Sequence, residues 1–472
     1  MQSGLWRGIL GGIMMNLNLD TIFSSLMNPA LNEFQVWALQ NPEESLSKTM
    51  LPPIALIEGL IANEPTYLQV KRLAFGANFC CAGQVVMGEF DTLETALTSP
   101  QARGWRLGTS VLDADRAPNQ DVGGRNLFLL SLSDREPDGS SNHEAFRSCM
   151  QKYLFNSATT DRQGDEISRR LLLRLAADYT EMSHGAGGAF FTDVKRGWMG
   201  FLVRYLHYII FGLNPDDSES IELLTELHYT RQSPLHYFAV IGSLLQSLNL
   251  FGHGDLSALI ERAATIYENS PALADFQEEN NGMTKRELAK LMTSIMGIAG
   301  LQGPLHLGYT AMGYRPLPAY QGQKTAEINP TDFWDQLDLD DRESIKLFLL
   351  ECARLWAPVS ATHRVATEPF TATVAGKQRT FPAGTKVLIP LSLGLLDSSF
   401  WGSTVYEFNA KRENLCPYHM GFHSVGDRSA GRICPAKDIA LTMLVDVMST
   451  VGKVRRDRTP NLQPQSTQKP GL

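Results

Sequence analysis

Most of the first 360 residues repeat apolar side chains every three or four positions. The clearest repeats lie in residues 171–175, 201–209, 223–227 and 241–248. This spacing places apolar side chains on one face of an α-helix and predicts helices packed around a common core. From Arg364 onward the pattern changes to alternation, so the sequence predicts a mainly α fold with a minor β region.

The β region is predicted as a small sheet attached to the helical body. Residues 364–374 alternate between apolar and polar side chains, as a half-buried strand does. Ala375, Gly376 and Lys377 favour a turn, and residues 380–391 provide a second apolar run.

The chain is predicted to form one large domain over residues 31–454, because no internal repeat divides it. Residues 455–472 are rich in Pro, Gln, Ser and charge, which predicts a disordered tail. Residues 1–30 form a separate N-terminal segment. Its apolar run, residues 5–17, contains Arg7 and is shorter than the about 20 residues of a membrane-spanning helix. We interpret it as a helix packed on the domain, with a helix in the membrane interface as the alternative.

The net charge of −8 argues against a nucleic-acid partner, which requires a basic surface. None of the six cysteines forms a CxxC pair, so neither a zinc ribbon nor a disulfide framework is indicated. We expect a reducing, cytoplasmic location without a transmembrane anchor. Weak peripheral association with a membrane is the alternative.

Four residues in the last third of the chain form an ordered series: Glu351, Arg354, Arg412 and Cys434. The first two lie three apart in the predicted helix 342–356 and therefore share a face. Taken alone they describe an ordinary surface ion pair, and a single cysteine is ordinarily a buried structural thiol. A thiolate beside a helix N-terminus is also a soft ligand for a transition metal.

This ordered series resembles the C-terminal half of the cytochrome P-450 superfamily, whose heme iron is held by a cysteine thiolate. The resemblance implies a mainly α, single large domain with heme b as cofactor and Cys434 as the iron ligand. It also implies that Glu351, Arg354 and Arg412 form a buried charged triad with a structural role. The resemblance extends over roughly residues 140–450.

The cysteine loop departs from the usual signature of the superfamily. Asp427 occupies the usual aromatic position seven residues before Cys434. Gly431 and Pro435 resemble the longer loop of the bacterial fatty-acid peroxygenase branch. Arg432 matches the arginine that binds a heme propionate in the superfamily.

Three further residues match heme contacts of the superfamily. His143 and Arg147 lie four apart and match an early helix whose side chains reach one propionate. A solvated helix face is the alternative for that pair. Arg364 lies where the superfamily sends another cation to a propionate, and His363 competes with it for this role.

The distal helix, predicted over residues 285–301, carries unusual replacements. Monooxygenases of the superfamily have an Ala-Gly-x-acid-Thr motif there, whose acid and alcohol deliver protons. Alignment on Gly300 puts Gln302 at the acid and Gly303 at the alcohol. Neither can relay a proton as the usual pair does. Pro304 follows and predicts a break in the helix.

The resemblance and these replacements together imply a heme-thiolate oxidoreductase with atypical oxygen or peroxide chemistry. We expect an apolar small-molecule substrate of specialised or lipid metabolism, oxidised, coupled through radicals or rearranged beside Gly300, Gln302 and Gly303. The alternative is an ordinary hydroxylase served by a separate ferredoxin or flavin reductase, since the chain shows no flavin or iron–sulfur motif. A noncatalytic heme-binding protein is the remaining alternative.

Overall fold

A computed structural model of the chain describes residues 68–69, 72, 75–81, 84–98, 106–107, 142–182, 188–231, 253–278, 282–315, 330–365, 369–382, 385–413, 415 and 433–458. The helices are α1 Phe90–Thr98, α2 Asn142–Cys149, α3 Ser157–Gly164, α4 Glu166–Met182, α5 Ala189–Thr192, α6 Gly197–Phe211, α7 Ser218–Thr225, α8 His253–Glu268, α9 Lys285–Ile295, α10 Gln302–Ala311, α11 Thr331–Trp334, α12 Arg342–Leu355, α13 Leu391–Gly394, α14 Ser398–Trp401 and α15 Lys437–Arg458. Single π-helical turns occupy Met150–Leu154, Glu226–Arg231 and Met296–Gly300.

Helix α6 lies at the centre of the helical body. Almost all of its side chains are buried, because it packs against α3, α4, α5, α7 and α10. The indole N–H of Trp198 donates to the carbonyl of Leu305 at 3.1 Å and ties α6 to α10. The sequence pattern over residues 201–209 predicted one buried face, and in the structure almost the whole helix is buried, as is typical of a helix inside a protein.

The strands form a mixed sheet and a separate hairpin. The strands are β1 Asn78–Cys81, β2 Gln84–Met87, β3 Arg106–Leu107, β4 Thr362–Val365, β5 Phe370–Val374, β6 Lys377–Phe381 and β7 Lys386–Ile389. The sheet has the order β1-β2-β7-β4-β3, in which only β2 and β7 are parallel, and the hairpin pairs β5 with β6. The mainly α fold with a minor β region is thus confirmed.

The run 364–374 is not one strand. Its beginning belongs to β4, which pairs with β7 in the sheet, whereas β5 pairs with β6 in the hairpin. The predicted turn is confirmed, since Ala375 and Gly376 have φ angles of 49° and 75°. Positive φ at both central residues matches the right-handed twist of a hairpin.

The distal helix begins where the sequence places a capping box. Thr284 accepts from the N–H of Glu287 at 3.1 Å, and the Glu287 carboxylate accepts from the N–H of Thr284 at 2.7 Å. After α9 the helix passes through the π-helical turn and continues as α10. Within that turn, the N–H of Leu301 donates to the carbonyl of Met296, five residues earlier, at 2.9 Å.

The predicted break at Pro304 is wrong. Pro304 is the third residue of α10, and the irregular turn lies before it. Proline is tolerated in the first turn of a helix because the N–H that it lacks has no intrahelical partner there. The π-helical turn therefore starts a new first turn at Gln302, which accommodates the proline.

Helix α15 continues through Arg458, so residues 455–458 are helical and the tail cannot begin at 455. Arg455 donates to both carboxylate oxygens of Asp335, at 2.7 and 2.9 Å, and its guanidinium lies over the ring of Trp334. This tertiary pairing extends the helix beyond the point where composition changes. Residues 459–472, like the predicted N-terminal segment 1–30, lie outside the described residues.

Within the described ranges, no helix is both long enough and apolar enough to cross a membrane.

Candidate functional site

The ion pair predicted from sequence spacing lies in the core and not on the surface. Arg354 donates from Nε and Nη2 to the two carboxylate oxygens of Glu351, at 2.7 and 2.8 Å. Arg412 Nε donates to Glu351 Oε1 at 3.1 Å. The side chains of Glu351 and Arg354 are fully buried, and that of Arg412 is 7% exposed. The predicted charged triad is confirmed.

The triad holds an irregular stretch of backbone on the helical body. Arg354 Nη1 donates to the carbonyls of Leu395 and Val405, at 3.1 and 2.7 Å. Arg412 Nη2 donates to the carbonyl of Glu407 at 2.7 Å. Charged donors satisfy these carbonyls, which have no partner in a helix or sheet, so the role of the triad is structural.

Cys434 lies three residues before α15, near the positive end of that helix. Its side chain is only partly accessible, and removal from water raises the pKa of the thiol. The backbone at Ala436 and the positive charges of Arg147 and Lys437 lower this pKa, whereas the negative charge of Asp438 raises it. A free thiol here keeps its proton, whereas a thiolate formed on a metal ion has three stabilising groups beside it.

Arg147 of helix α2 contacts the cysteine loop, although the two residues that pair are 286 positions apart in sequence. Its Nη1 donates to the carbonyl of Ile433, the residue before Cys434, at 2.6 Å. The structure therefore places this guanidinium at the residue next to the predicted iron ligand. Its contact with a propionate stays a prediction.

The other predicted propionate ligands are described only in part. His143 lies in α2, one turn before Arg147. Arg364 lies in β4, where it is opposite Val387 of β7 and Leu107 of β3. The side chains of both residues, and the whole of Arg432, lie outside the description, so their roles stay predictions.

Gln302, which the sequence analysis predicts to occupy the position of the usual acid, is buried and is the first residue of α10. Its side chain is 3% exposed, and Nε2 has no hydrogen-bond partner among the described residues. A buried amide donor without an acceptor costs about 1–3 kcal/mol, so it marks a place for a ligand or water oxygen.

Gly303, at the position of the usual alcohol, borders free space. A Cβ added there would meet no described atom within 4 Å, whereas a Cβ at Gly300 would meet the sulfur of Met296 at 3.0 Å. A side chain at Gly300 would therefore press on Met296, and Gly303 leaves room beside Gln302. The two replacements thus create a donor and a space next to each other.

Helix α10 packs against both α12, which carries Glu351 and Arg354, and α15, which follows Cys434. The distal segment and the cysteine loop consequently lie on elements that share one core. A single thiolate donor, a cation at its loop, an orphaned amide and free space are what a heme and a bound oxygen ligand would need.

Sequence reasoning missed a buried cluster of His207, His228 and Tyr267. All three side chains have no exposed surface. His207 and Tyr267 are 60 residues apart in sequence, and each is a single polar residue on an apolar helix face. The sequence signal that could have indicated this cluster is His207, a histidine within the apolar run 201–211.

This cluster predicts a loss of stability in acid. Burial lowers the pKa of His207 from its usual 6.5 to about 4, and lowers that of His228 as well. Below pH 6.5 the unfolded state therefore binds a proton at His207 that the folded state does not bind. The free energy of unfolding falls as the pH drops from 6.5 to about 4. His207 alone should contribute a loss of roughly 2 kcal/mol at pH 5.

Urea unfolding at pH 7 and pH 5 measures this loss. We expect the loss of unfolding free energy between pH 7 and pH 5 to be smaller by roughly 2 kcal/mol in His207→Gln, because glutamine does not titrate. An equal pH dependence in the variant would show that His207 does not carry the effect.

No family model and no curated protein matches the chain. Solved structures do match. P450BioI, in complex with hexadec-9Z-enoic acid ligated acyl carrier protein, is 15% identical, with a TM-score of 0.52 over 86% of this chain and 92% of that one. Mycobacterium smegmatis CYP164A2 with econazole bound is 17% identical, with a TM-score of 0.54 over 85% and 94%. The Tepidiphilus thermophilus P450 heme domain is 15% identical, with a TM-score of 0.54 over 86% and 90%.

Proposed function

Because the chain has the cytochrome P450 fold, we propose that it is a heme-thiolate oxidoreductase with heme b held by Cys434. The observation that carries the proposal is the setting of this cysteine, which lies three residues before helix α15 and whose preceding carbonyl is bound by Arg147. Heme iron with a thiolate ligand supplies one-electron and oxygen chemistry when bound. The charged triad holds the backbone at Leu395, Val405 and Glu407.

On the proximal side, the protein's task is to hold negative charge on sulfur. The Cys434 proton leaves when the metal binds, and the Ala436 N–H and the Lys437 ammonium then face an anion. Arg147 holds the loop at Ile433 and brings a further positive charge to it. Any propionate contact by His143, Arg147, Arg364 or Arg432 would add to this set.

On the distal side, the chain offers hydrogen bonding without acid catalysis. The Gln302 amide donates and accepts hydrogen bonds but does not give up a proton at neutral pH, and Gly303 has no hydroxyl group. We propose that the enzyme uses an oxidant that already contains the O–O bond, either hydrogen peroxide or a substrate hydroperoxide. Gln302 Nε2 then donates to an oxygen atom of that oxidant, which explains a buried donor without a protein acceptor.

The proposed substrate is an apolar small molecule. Apolar side chains surround the distal turn, with Met296, Leu301 and Leu305 all buried. One solved protein of the same fold is described with an acyl chain and another with econazole, and both of these ligands are largely apolar. This supports the class of substrate and not its identity.

A second candidate is a hydroxylase that receives electrons from a separate ferredoxin or flavin reductase. The free space beside Gly303 favours it, since a water molecule there could take the place of the missing alcohol.

The two candidates differ in the source of oxidising equivalents. The heme-loaded protein is incubated with fatty-acid hydroperoxides or with hydrogen peroxide and an apolar substrate, without any reductase. We expect product under these conditions. Product formed only with NADPH, a reductase and dioxygen would overturn the peroxide proposal and support the hydroxylase.

Restoring the usual acid and alcohol is expected to create reductase-dependent activity. Gln302→Glu keeps the shape of the side chain, and the space at Gly303 accepts the side chain of Gly303→Thr. Since a positioned proton donor typically contributes roughly 10²–10⁴-fold, reductase-supported turnover in the double variant should rise by at least tenfold. Initial rates with NADPH and a surrogate reductase measure it.

The matched control is Gln302→Glu with Gly303→Val, which fills nearly the same space as threonine without a hydroxyl group. An equal gain in this control would mean that packing, and not proton delivery, limits the natural enzyme.

A further inference from the structure

The buried cluster of His207, His228 and Tyr267 joins three elements of the helical body. His207 lies in α6, His228 in the π-helical turn after α7, and Tyr267 in α8. The Tyr267 hydroxyl lies 2.8 Å from His207 Nε2 and 3.1 Å from His228 Nε2. A phenol between two imidazoles, shielded completely from solvent, is not needed to fill a core.

The hydrogen-bond partners fix the tautomers. His207 Nδ1 lies 2.6 Å from the carbonyl of Val203, which only accepts, so this nitrogen carries the proton. In the neutral ring Nε2 is then a bare acceptor, and the Tyr267 hydroxyl donates to it. His228 Nε2 must in turn donate to the phenolic oxygen, which leaves His228 Nδ1 bare, in agreement with its lack of a partner among the described residues.

We propose that Tyr267 is a redox-active tyrosine, which yields one electron to the peroxide-oxidised heme and its proton to His207. The inference rests on the proposed function, because hydrogen peroxide, acting at the heme that Cys434 would hold, would be the oxidant. The one electron that Tyr267 gives up would go to that oxidant. The O–H bond of Tyr267 breaks, an N–H bond forms at His207 Nε2, and a neutral tyrosyl radical faces a singly charged imidazolium.

Each product of this step keeps a hydrogen bond. The imidazolium keeps its bond from Nδ1 to the Val203 carbonyl, and the radical oxygen keeps the bond donated by His228. The electron leaves the cluster while the proton moves only along a 2.8 Å hydrogen bond, so one positive charge stays in the core on the His207 imidazolium. The ring of Tyr267 also stacks on Phe211, with centroids 4.2 Å apart.

The cluster is also close to the distal segment in the fold. The π-helical turn that carries His228 packs against the π-helical turn Met296–Gly300. Helix α8, which carries Tyr267, packs along α9. The phenol therefore lies in the layer directly behind the segment that would face the heme.

Other described tyrosines have weaker proton acceptors or lie nearer to solvent. Tyr229 and Tyr309 donate to backbone carbonyls, which do not retain a proton. Tyr208 donates to the carboxylate of Asp165 in a partly buried pair and is the matched competitor.

The test is rapid-freeze electron paramagnetic resonance of the heme-loaded protein after mixing with hydrogen peroxide. We expect a tyrosyl signal that changes its hyperfine pattern when tyrosine is deuterated. The signal should be lost in Tyr267→Phe and retained in Tyr208→Phe, with heme content checked by absorption. His207→Gln, which removes the proton acceptor and keeps the phenol, should lower the radical yield, so the inference stays testable where Tyr267→Phe fails to fold.

An unchanged signal in Tyr267→Phe, a signal lost in Tyr208→Phe, or no tyrosyl signal from protein with full heme content would each overturn the inference. Absence of bound heme would overturn the proposed function and the inference together, and the absorption spectrum separates that failure from the others.

Discussion

Cys434→Ala is expected to lose stoichiometric, thiolate-ligated heme while remaining folded. The sulfur is the one metal donor that the cysteine loop offers in the described residues, and the Ala436 N–H, Arg147 and Lys437 surround it. Alanine keeps the backbone but cannot bind iron. Heme content per chain, from absorption after reconstitution and gel filtration, measures the loss.

The matched control is Cys80→Ala, which removes another partly buried cysteine, from strand β1. This variant should keep full heme content and the wild-type spectrum. Equal heme content and an identical spectrum in Cys434→Ala would show that the iron has another ligand. Circular dichroism at equal concentration confirms that both variants are folded.

Glu351→Ala is expected to be the most destabilising single change in the cysteine-bearing half of the chain. It removes the carboxylate that pairs with both Arg354 and Arg412 and leaves two cations in the core. Loss of one member of a buried charged set typically costs about 3–5 kcal/mol. The free energy of unfolding from urea titration measures it, and heme retention should decline with it.

Glu343→Ala provides the comparison on the same helix. Glu343 pairs with Lys346 on the surface, and its side chain is 64% exposed. An exposed pair of this kind contributes about 0–1 kcal/mol. Comparable losses of stability in the two variants would contradict the structural role assigned to the triad.

The charged triad shows what the sequence could predict. Glu351 and Arg354 share a helix face because they are three apart, and the resemblance supplied Arg412 as the third member. Whether that face lies in the core or in solvent depends on what packs against it, which spacing does not reveal. The structure decides this through complete burial and the backbone carbonyls of Leu395 and Val405.

The distal helix shows the opposite case. The replacements at Gln302 and Gly303 were read directly from the sequence. The effect of Pro304 was not, because a proline breaks a helix only where its missing N–H is needed. The π-helical turn Met296–Gly300 shifts the hydrogen-bond register and removes that need.

The predictions for the tail and for the strand over residues 364–374 differ from the structure for a related reason. Composition changes at Arg455, yet the ion pair with Asp335 keeps that residue in the helix. The run 364–374 alternates throughout, yet its two ends pair with different strands, β4 with β7 and β5 with β6. In each case a partner distant in sequence decides the local structure.

The absorption spectrum of the purified, reduced, CO-bound protein tests the central claim most directly. We predict one heme per chain and a Soret band at the red-shifted position characteristic of thiolate ligation, present in Cys80→Ala and absent in Cys434→Ala. A Soret band at the position of a histidine-ligated heme, or no heme at all in the wild-type protein, would contradict the account.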